Sequence, residues 1–371
     1  MNSILVTGGA GFVGSHTCLL LLEKGYVVFI LDSFVNSSPE AIHKISLILK
    51  EKNIDIKEKF FLIKGDINNR SDIERVFKVS LKLSKKIEAV IHFAGLKSVF
   101  DSVLNPILYW ENNVIGTINL LKIMEKYNCK NIVFSSSATV YKTQLNKILN
   151  EKDICEPINP YGNTKLSIEK ILNDIFCSQP LDWRIACLRY FNPVGAHESG
   201  LIGENPLGKP QNLYPLITKV GIGKLKKLKI YGSDWPTPDG TAIRDYVHVI
   251  DIADGHLLTL DYLLKDKPQI LTLNLGTGKG ISVLEFIKIF ERVNNVEIPF
   301  KFVNRRRGDN AFVVADNSLA KSILNWAPKK NIVDICRDGW KWQLKNPDGF
   351  LPVNFNQEIA SFDKLNIKDP I

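Results

Sequence analysis

A chain of 371 residues that is 45% hydrophobic and 23% charged has the balance of a globular protein, with enough length for two domains. Its longest apolar runs, such as Leu19 to Leu22, fall far short of the ~20 residues a bilayer-spanning helix needs, which excludes a membrane span of that kind. The formal net charge of +9 comes from lysines spread along the chain, which argues against a nucleic-acid partner.

The first predicted strand, Ile4 to Val6, begins so early that no secretory leader fits before it. A glycine-rich stretch from Thr7 to Gly14 opens the first helix, which carries Cys18 to Leu22 and stops at Gly25. Further strands are expected at Val27–Leu31, Phe60–Ile63, Ala89–Phe93 and Ile132–Phe134. Helices are expected at Ala41–Lys50, Asp72–Leu83, Ile107–Tyr127 after Pro106, and Lys165–Phe176. This alternation predicts an α/β fold, a Rossmann-type doubly wound parallel sheet over residues 1–190. After Tyr190 the prolines at 193, 206, 210, 215, 236 and 238 break the pattern into a smaller, loop-rich α+β unit, residues 191–347. Lys224, Lys226, Lys227 and Lys229 read as a solvated helix end, and residues 348–371 as a loosely packed tail. The six cysteines, Cys18, Cys129, Cys155, Cys177, Cys187 and Cys336, show no CxxC pair and no histidine cluster at metal-ligand spacing. Reduced core thiols, no metal and a cytoplasmic location are the expectation.

Two constellations carry chemistry. In the first, Gly8, Gly11 and Gly14 lie between a strand and a helix, where glycines let the backbone approach a pyrophosphate and the helix N-terminus attracts its charge. Asp32 ends the second strand about 20 residues on, placed to bind an adenosine ribose diol and to repel a 2′-phosphate, so NAD is favoured over NADP. A glycine pattern alone also describes a tight packing turn; strand, glycines, helix, strand and acid in order favour the cofactor. In the second, Tyr161 and Lys165 stand one helical turn apart on one face. A free tyrosine titrates near pH ~10, so a phenolate base at neutral pH needs a fall of about three units, or ~4 kcal/mol. A lysine in a partly desolvated cleft, reinforced by an oxidised nicotinamide, meets that need. Ser137 closes the run Ser135–Ser137 at the C-terminal end of the fifth strand, the edge on which doubly wound sheets bind ligands. His16, His92 and Cys187 lie in apolar or helical settings that suit core roles better than catalysis.

The glycine spacing, with the Ser and Tyr-Lys positions, resembles the extended branch of the short-chain dehydrogenase/reductase superfamily. That resemblance implies a cofactor shell of Phe12, Val13, Ser33, Asn36, Asp66, Ile67, Phe93, Ala94, Gly95, Lys97, Asn112 and Phe191, besides the glycines and Asp32. It also implies that Ser137 hydrogen-bonds the reacting oxygen and relays its proton to Tyr161. Four segments, Ile91–Lys97, Ser135–Tyr141, Arg189–His197 and Asp239–His248, are similar to those of the UDP-glucose 4-epimerase family, and the likeness runs to about Asn346.

Membership of that family implies a small-molecule UDP-sugar substrate contacted by Asn192, Asn212, Leu213, Arg244, Arg306 and Asp309, with Lys229, Ile230 and Tyr231 bracketing the uracil. It implies C4 epimerisation through a 4-keto intermediate with tightly bound, recycled NAD, in galactose metabolism. Ala138 and Thr139 stand where related 4,6-dehydratases carry acids, which makes dehydration the weaker alternative. A redox-sensing binding protein would keep the fold but needs no Tyr-Lys pair. Val313, or its neighbour Phe312, falls where a bulky aromatic restricts substrates to non-acetylated sugars; a valine there predicts activity on UDP-GlcNAc as well. By the same analogy the protein is a homodimer through helices Ile107–Tyr127 and Lys165–Phe176.

Overall fold

The computed structural model describes residues 2–350 apart from 143–144, 209 and 307. Seven strands form the main sheet: β1 (Ser3–Thr7), β2 (Val27–Asp32), β3 (Phe60–Lys64), β4 (Ile87–His92), β5 (Asn131–Ser137), β6 (Arg184–Tyr190) and β7 (Gln269–Leu275). They run parallel in the order β7-β6-β5-β4-β1-β2-β3. Every residue of β1 and β2 is buried, which is why these strands read as unbroken apolar runs without alternation. The strand order reverses between β1 and β4, and that reversal opens a crevice at the C-terminal edge, beyond Thr7 and His92.

Helices cover both faces. On one, α1 (Phe12–Glu23), α2 (Glu40–Glu51) and a later helix lay Leu19, Leu22, Ile45 and Leu260 against Ile4, Val6 and Ile30. On the other, α3 (Arg70–Lys82), α4 (Gly116–Lys126) and α5 (Pro160–Ser178) lay Phe77, Leu120, Met124, Ile168 and Leu172 against Phe29, Val90 and Phe134. Each large apolar side chain removed from water in this way stabilises the fold by about 1.5–3 kcal/mol. The start of α5 is set by Asn159, whose side chain accepts from the Gly162 N–H, and by Pro160 in the first turn.

The second half builds α6 (Leu213–Gly221), α7 (Val249–Lys265), α8 (Val283–Asn294) and α9 (Ile332–Lys345). Short strands Ile243–Arg244, Ile281–Ser282 and Phe312–Ala315 join Ile148–Leu149 in a four-stranded sheet, and Leu228–Tyr231 pairs with Phe300–Val303. Tyr214, Ile217, Phe286, Phe290 and Ile335 make its core. The chain also returns to the large sheet after residue 190: α7 packs on α1, and β7 adds a strand beside β6.

Two expectations are corrected. The stretch Ile107–Tyr127 is not one regular helix but a short α-helix (Pro106–Tyr109), a π turn (Trp110–Ile115) and α4. The widened turn lets Asn113 accept from the Leu96 N–H and donate to the Leu96 carbonyl and Thr164 Oγ1, anchoring the loop after β4. The lysine-rich patch is not a helix end either: α6 has stopped at Gly221, Lys224 and Lys226 lie in a bend, Lys227 in the connection after it, and Lys229 sits in the strand Leu228–Tyr231. Most of the tail, residues 351–371, lies outside the described residues.

Candidate active site

The crevice at the strand ends continues into the smaller unit as one cleft of about 520 Å³. Every site residue singled out from the sequence lines it, from Gly8 and Asp32 at one end through Ser137, Tyr161 and Lys165 to Arg244, Arg306 and Val313 at the other.

At the first end, Gly8 has φ +70°, and a Cβ there would meet the Ala94 nitrogen at 2.7 Å. A Cβ on Gly14 would run into the Gly8 carbonyl oxygen, so the turn closes only with hydrogen at both positions. Helix α1 begins at Phe12 with no side-chain cap and no acidic residue in its first turn. Its N-terminal N–H groups and dipole are therefore free for an anion. Asp32 accepts from the Ala10 N–H at 2.9 Å, the Phe34 N–H at 2.9 Å and Ser37 Oγ at 2.7 Å, which locks its carboxylate beside the glycine turn. An uncapped, glycine-cleared helix start with a fixed carboxylate one strand away fits a dinucleotide. Ser33, Asn36, Asp66 and Ile67 follow the ends of β2 and β3, while Phe93, Ala94, Gly95, Lys97 and Asn112 close the same end from the β4 side. Lys97 is paired with Glu204 at 3.0 Å, and Asn212 donates to the same Glu204 oxygen at 3.2 Å.

At the centre, Tyr161 and Lys165 project from the first turns of α5 toward the end of β5. Lys165 Nζ donates to the Ser135 carbonyl at 2.8 Å and lies 5.8 Å from the Tyr161 ring centroid. Burial lowers the Lys165 ammonium to about 8, with the Glu169 carboxylate opposing that fall. Burial raises the Tyr161 phenol to about 12, opposed by a hydrogen bond with Ser137. Ser137 Oγ also accepts from the Thr139 N–H at 3.2 Å and Thr139 Oγ1 at 3.0 Å. Phe191 and Asn192 continue from β6 into the cleft wall.

At the far end, Arg306 stacks 4.3 Å from the Tyr231 ring centroid while bonding Asp309 and the Gln211 carbonyl. Arg244 donates to the Ile243 carbonyl, and burial lowers its guanidinium below its ordinary value. Lys229, Ile230 and Leu213 line the same wall. Strand pairing sets Val313 opposite Arg244, and of Val313 and Phe312 it is Val313 that lines the cleft.

The tempting histidines are withdrawn from the cleft. His92 is held between Thr7 Oγ1 at 2.7 Å and Thr117 Oγ1 at 2.9 Å, and burial lowers it to about 3. His16 bonds the Phe12 carbonyl at 2.7 Å and is lowered to about 3 in the same way. Cys187 is buried among apolar side chains, its thiol pushed up. Glu204, Asn113 and Ser37 have no role in the sequence reading, and Thr139 enters it only as standing where a dehydratase carries an acid. Asn113 adjoins Asn112, whereas Glu204 is an isolated acid in a loop and carries no sequence signal.

A family model described as GDP-mannose 4,6 dehydratase matches residues 5–339. The chain is 51% identical over 349 residues to a UDP-glucose 4-epimerase of Yersinia enterocolitica, covering 94% of this chain and 99% of that one. It is 47% identical over 351 residues to the bifunctional UDP-glucose 4-epimerase and UDP-xylose 4-epimerase 3 of Arabidopsis thaliana, covering 94% and 97%. The crystal structure of UDP-glucose 4-epimerase from Bifidobacterium longum in complex with NAD+ and UDP matches with a TM-score of 0.87 at 46% identity, covering 94% and 100%. The chain belongs to the family that the model describes and, within it, to the UDP-glucose 4-epimerases.

Proposed function

We infer that the protein interconverts UDP-glucose and UDP-galactose by inverting C4 through a 4-keto intermediate, with NAD as its recycled cofactor. The observation that carries this is the convergence of Ser137, Tyr161 and Lys165 midway along a cleft that has an uncapped helix start at one end and two arginines at the other. When bound, NAD supplies a hydride acceptor and donor and places a positive charge in the cleft.

Tyr161 takes the proton of the sugar O4 and later returns it, Ser137 holds that oxygen by hydrogen bond, and Lys165 stabilises the phenolate. The magnitudes define how much help Tyr161 needs. Lowering a phenol from about 12 to neutrality requires about five units, or roughly 7 kcal/mol. An ammonium 5.8 Å from the ring centroid supplies about 3 kcal/mol at an effective dielectric of ~20. Lys165 by itself is thus insufficient, and a second positive charge in the cleft would supply most of the remainder. Asp32 would hold the adenosine ribose, and the glycine turn with α1 the pyrophosphate of the cofactor. Arg244 and Arg306 would grip the UDP diphosphate, and Tyr231 with Lys229 the uracil. Binding energy concentrated on the nucleotide leaves the hexose free to turn its other face to the same cofactor. In this reading residues 1–190 mainly carry the cofactor and 191–347 the sugar nucleotide.

The test is incubation of the purified protein with UDP-glucose, without added NAD. Appearance of UDP-galactose supports both the reaction and a retained cofactor; a keto-deoxy sugar product would reassign the chain to dehydration, and no product with NAD supplied would reject the reading.

We also propose a homodimer. Phe100, Leu104, Ile107, Leu108, Trp110 and Ile115 are exposed along one run of helical turns, an apolar surface that a second copy would cover. Sedimentation at the monomer mass over the micromolar range would reject it. All six cysteines are unpaired, which suits a reducing cytoplasm. Among the described residues, no helix is long and apolar enough to cross a membrane.

A further inference from the structure

Directly behind the reacting pair lies a buried ion pair that the mechanism above does not use. Glu169 stands one helical turn past Lys165 on α5, and Arg189 lies on β6 beside Ser136 of β5. Both side chains are under a tenth exposed. The guanidinium grips the carboxylate with two parallel bonds, Nε to Oε1 at 3.0 Å and Nη2 to Oε2 at 2.6 Å. Ser136 Oγ donates to the same Oε1 at 2.5 Å, and Arg189 Nη1 reaches the Glu151 carbonyl at 3.3 Å while stacking on the Tyr141 ring.

Burying such a pair is costly, and an apolar pair of similar volume commonly stabilises a fold as well or better, so packing does not explain its presence. Its connections do. Ser135, Ser136 and Ser137 are three consecutive residues at the end of β5: the first accepts from Lys165, the second donates to Glu169, and the third meets Tyr161. Three successive turns of α5 are thereby tied to three successive residues of the strand. We propose that the Glu169–Arg189 pair is a positioning clamp that keeps the Lys165 ammonium charged and holds Ser137 in register with Tyr161.

The groups around Lys165 support this. Tyr161 and Glu169 face it from its own helix, His92 from β4, the Phe134 ring from β5 at 4.9 Å, and Tyr190 and Arg189 lie on the neighbouring β6. His92 is neutral, and the phenols are pushed up. The thiols of Cys155 and Cys187, which feel Glu169, are pushed up and stay neutral. Glu169 is the negative charge that opposes the desolvation of Lys165.

The inference rests on Tyr161 and Lys165 being the reacting pair, and the experiment separates the two claims. Holoenzyme variants Glu169→Gln, Glu169→Asp and the neutral pair Glu169→Gln/Arg189→Met are assayed across pH, and Tyr161 phenolate absorbance is titrated as a difference against the matching Tyr161→Phe forms. Glu169→Gln is expected to move the alkaline limb of kcat down by about half to one pH unit and the phenolate titration up by a similar amount. KM for UDP-glucose should stay within about twofold, and Glu169→Asp should restore both pH positions. If Glu169→Gln fails to fold, the neutral pair is read the same way. A loss of kcat or of melting temperature with both pH positions unmoved would overturn the clamp. Full turnover in Tyr161→Phe would instead overturn the reacting pair, while the phenolate titration, which needs no turnover, still reports on Glu169.

Discussion

Four of the five buried histidines, none of which lines the cleft, make the fold sensitive to acid. His16 and His92 are lowered to about 3, and His197 and His256 to about 4, in each case chiefly by burial. His256 is bonded to the Tyr190 hydroxyl at 2.8 Å and to the Ile252 carbonyl at 2.9 Å. Below pH ~6.5 an unfolded histidine takes up a proton that these folded ones refuse, so the unfolded state gains and stability falls as pH falls. Going from pH ~7.5 to pH ~5.5 costs about 1.4 kcal/mol for each such group, and roughly 5 kcal/mol for the four. Glu151, Asp245 and Asp251, pushed up by burial, act with the opposite sign and offset part of this. Carboxyls held low, such as Asp239, Asp334 and Asp338, contribute only further into acid. Since whole domains are stable by about 5–15 kcal/mol, the loss is large. Urea unfolding at the two pH values with NAD at fixed saturating concentration measures it. Unfolding free energies within about 1 kcal/mol of each other would refute the assignment of these histidines as neutral in the fold.

Three further outcomes concern the cleft. Tyr161→Phe should lower kcat by about 10²- to 10⁴-fold while the protein still carries NAD, checked by steady-state assay and by cofactor content after denaturation. Asp32→Ala removes the acceptor of the Ala10 N–H and the repulsion of a 2′-phosphate; it should weaken NAD at least about tenfold and narrow its advantage over NADP, read by titration of the apoprotein. The parent should convert UDP-GlcNAc as well as UDP-glucose, and Val313→Tyr should abolish the first activity while sparing the second. No UDP-GlcNAc turnover by the parent at high enzyme concentration would remove the basis of that substitution.

Local signals explain what was legible in the sequence. Gly8, Gly14 and Asp32 announce themselves because each answers a backbone or charge requirement only that residue type meets, and Tyr161 and Lys165 because helical period puts them on one face. Asn113 and the π turn around it were hidden, since the widened turn is specified by what Asn113 touches, Leu96 and Thr164, rather than by its neighbours in sequence. Glu204 is an ordinary loop acid until the fold sets it against Lys97, more than a hundred residues away. The Glu169–Arg189 pair illustrates the same limit: a glutamate on a helix and an arginine in a strand acquire meaning only once α5 packs over β5 and β6 and brings the two into contact. The return of the chain to the large sheet through β7 follows from pairing with β6, a contact between segments that share no local pattern.

The two opposite displacements at the centre of the cleft suggest how proton and hydride movements stay coupled. Burial, only partly opposed by Ser137 and Glu169, drives the phenol of Tyr161 up to about 12 and the ammonium of Lys165 down to about 8, so near neutral pH the tyrosine keeps its proton and the lysine keeps its charge. In that state Tyr161 is no base. It becomes one only when a further positive charge enters the same desolvated space, because at low dielectric one added charge shifts a buried phenol by several kcal/mol. Once that charge is neutralised, the protonated phenol is again the stable form and can hold the proton until it is returned. In the proposed reaction, a tyrosine whose basicity follows the charge beside it would not remove the sugar proton before the partner hydride has somewhere to go. Burial, which by itself makes Tyr161 a poor base, would thereby tie the proton transfer to the hydride transfer.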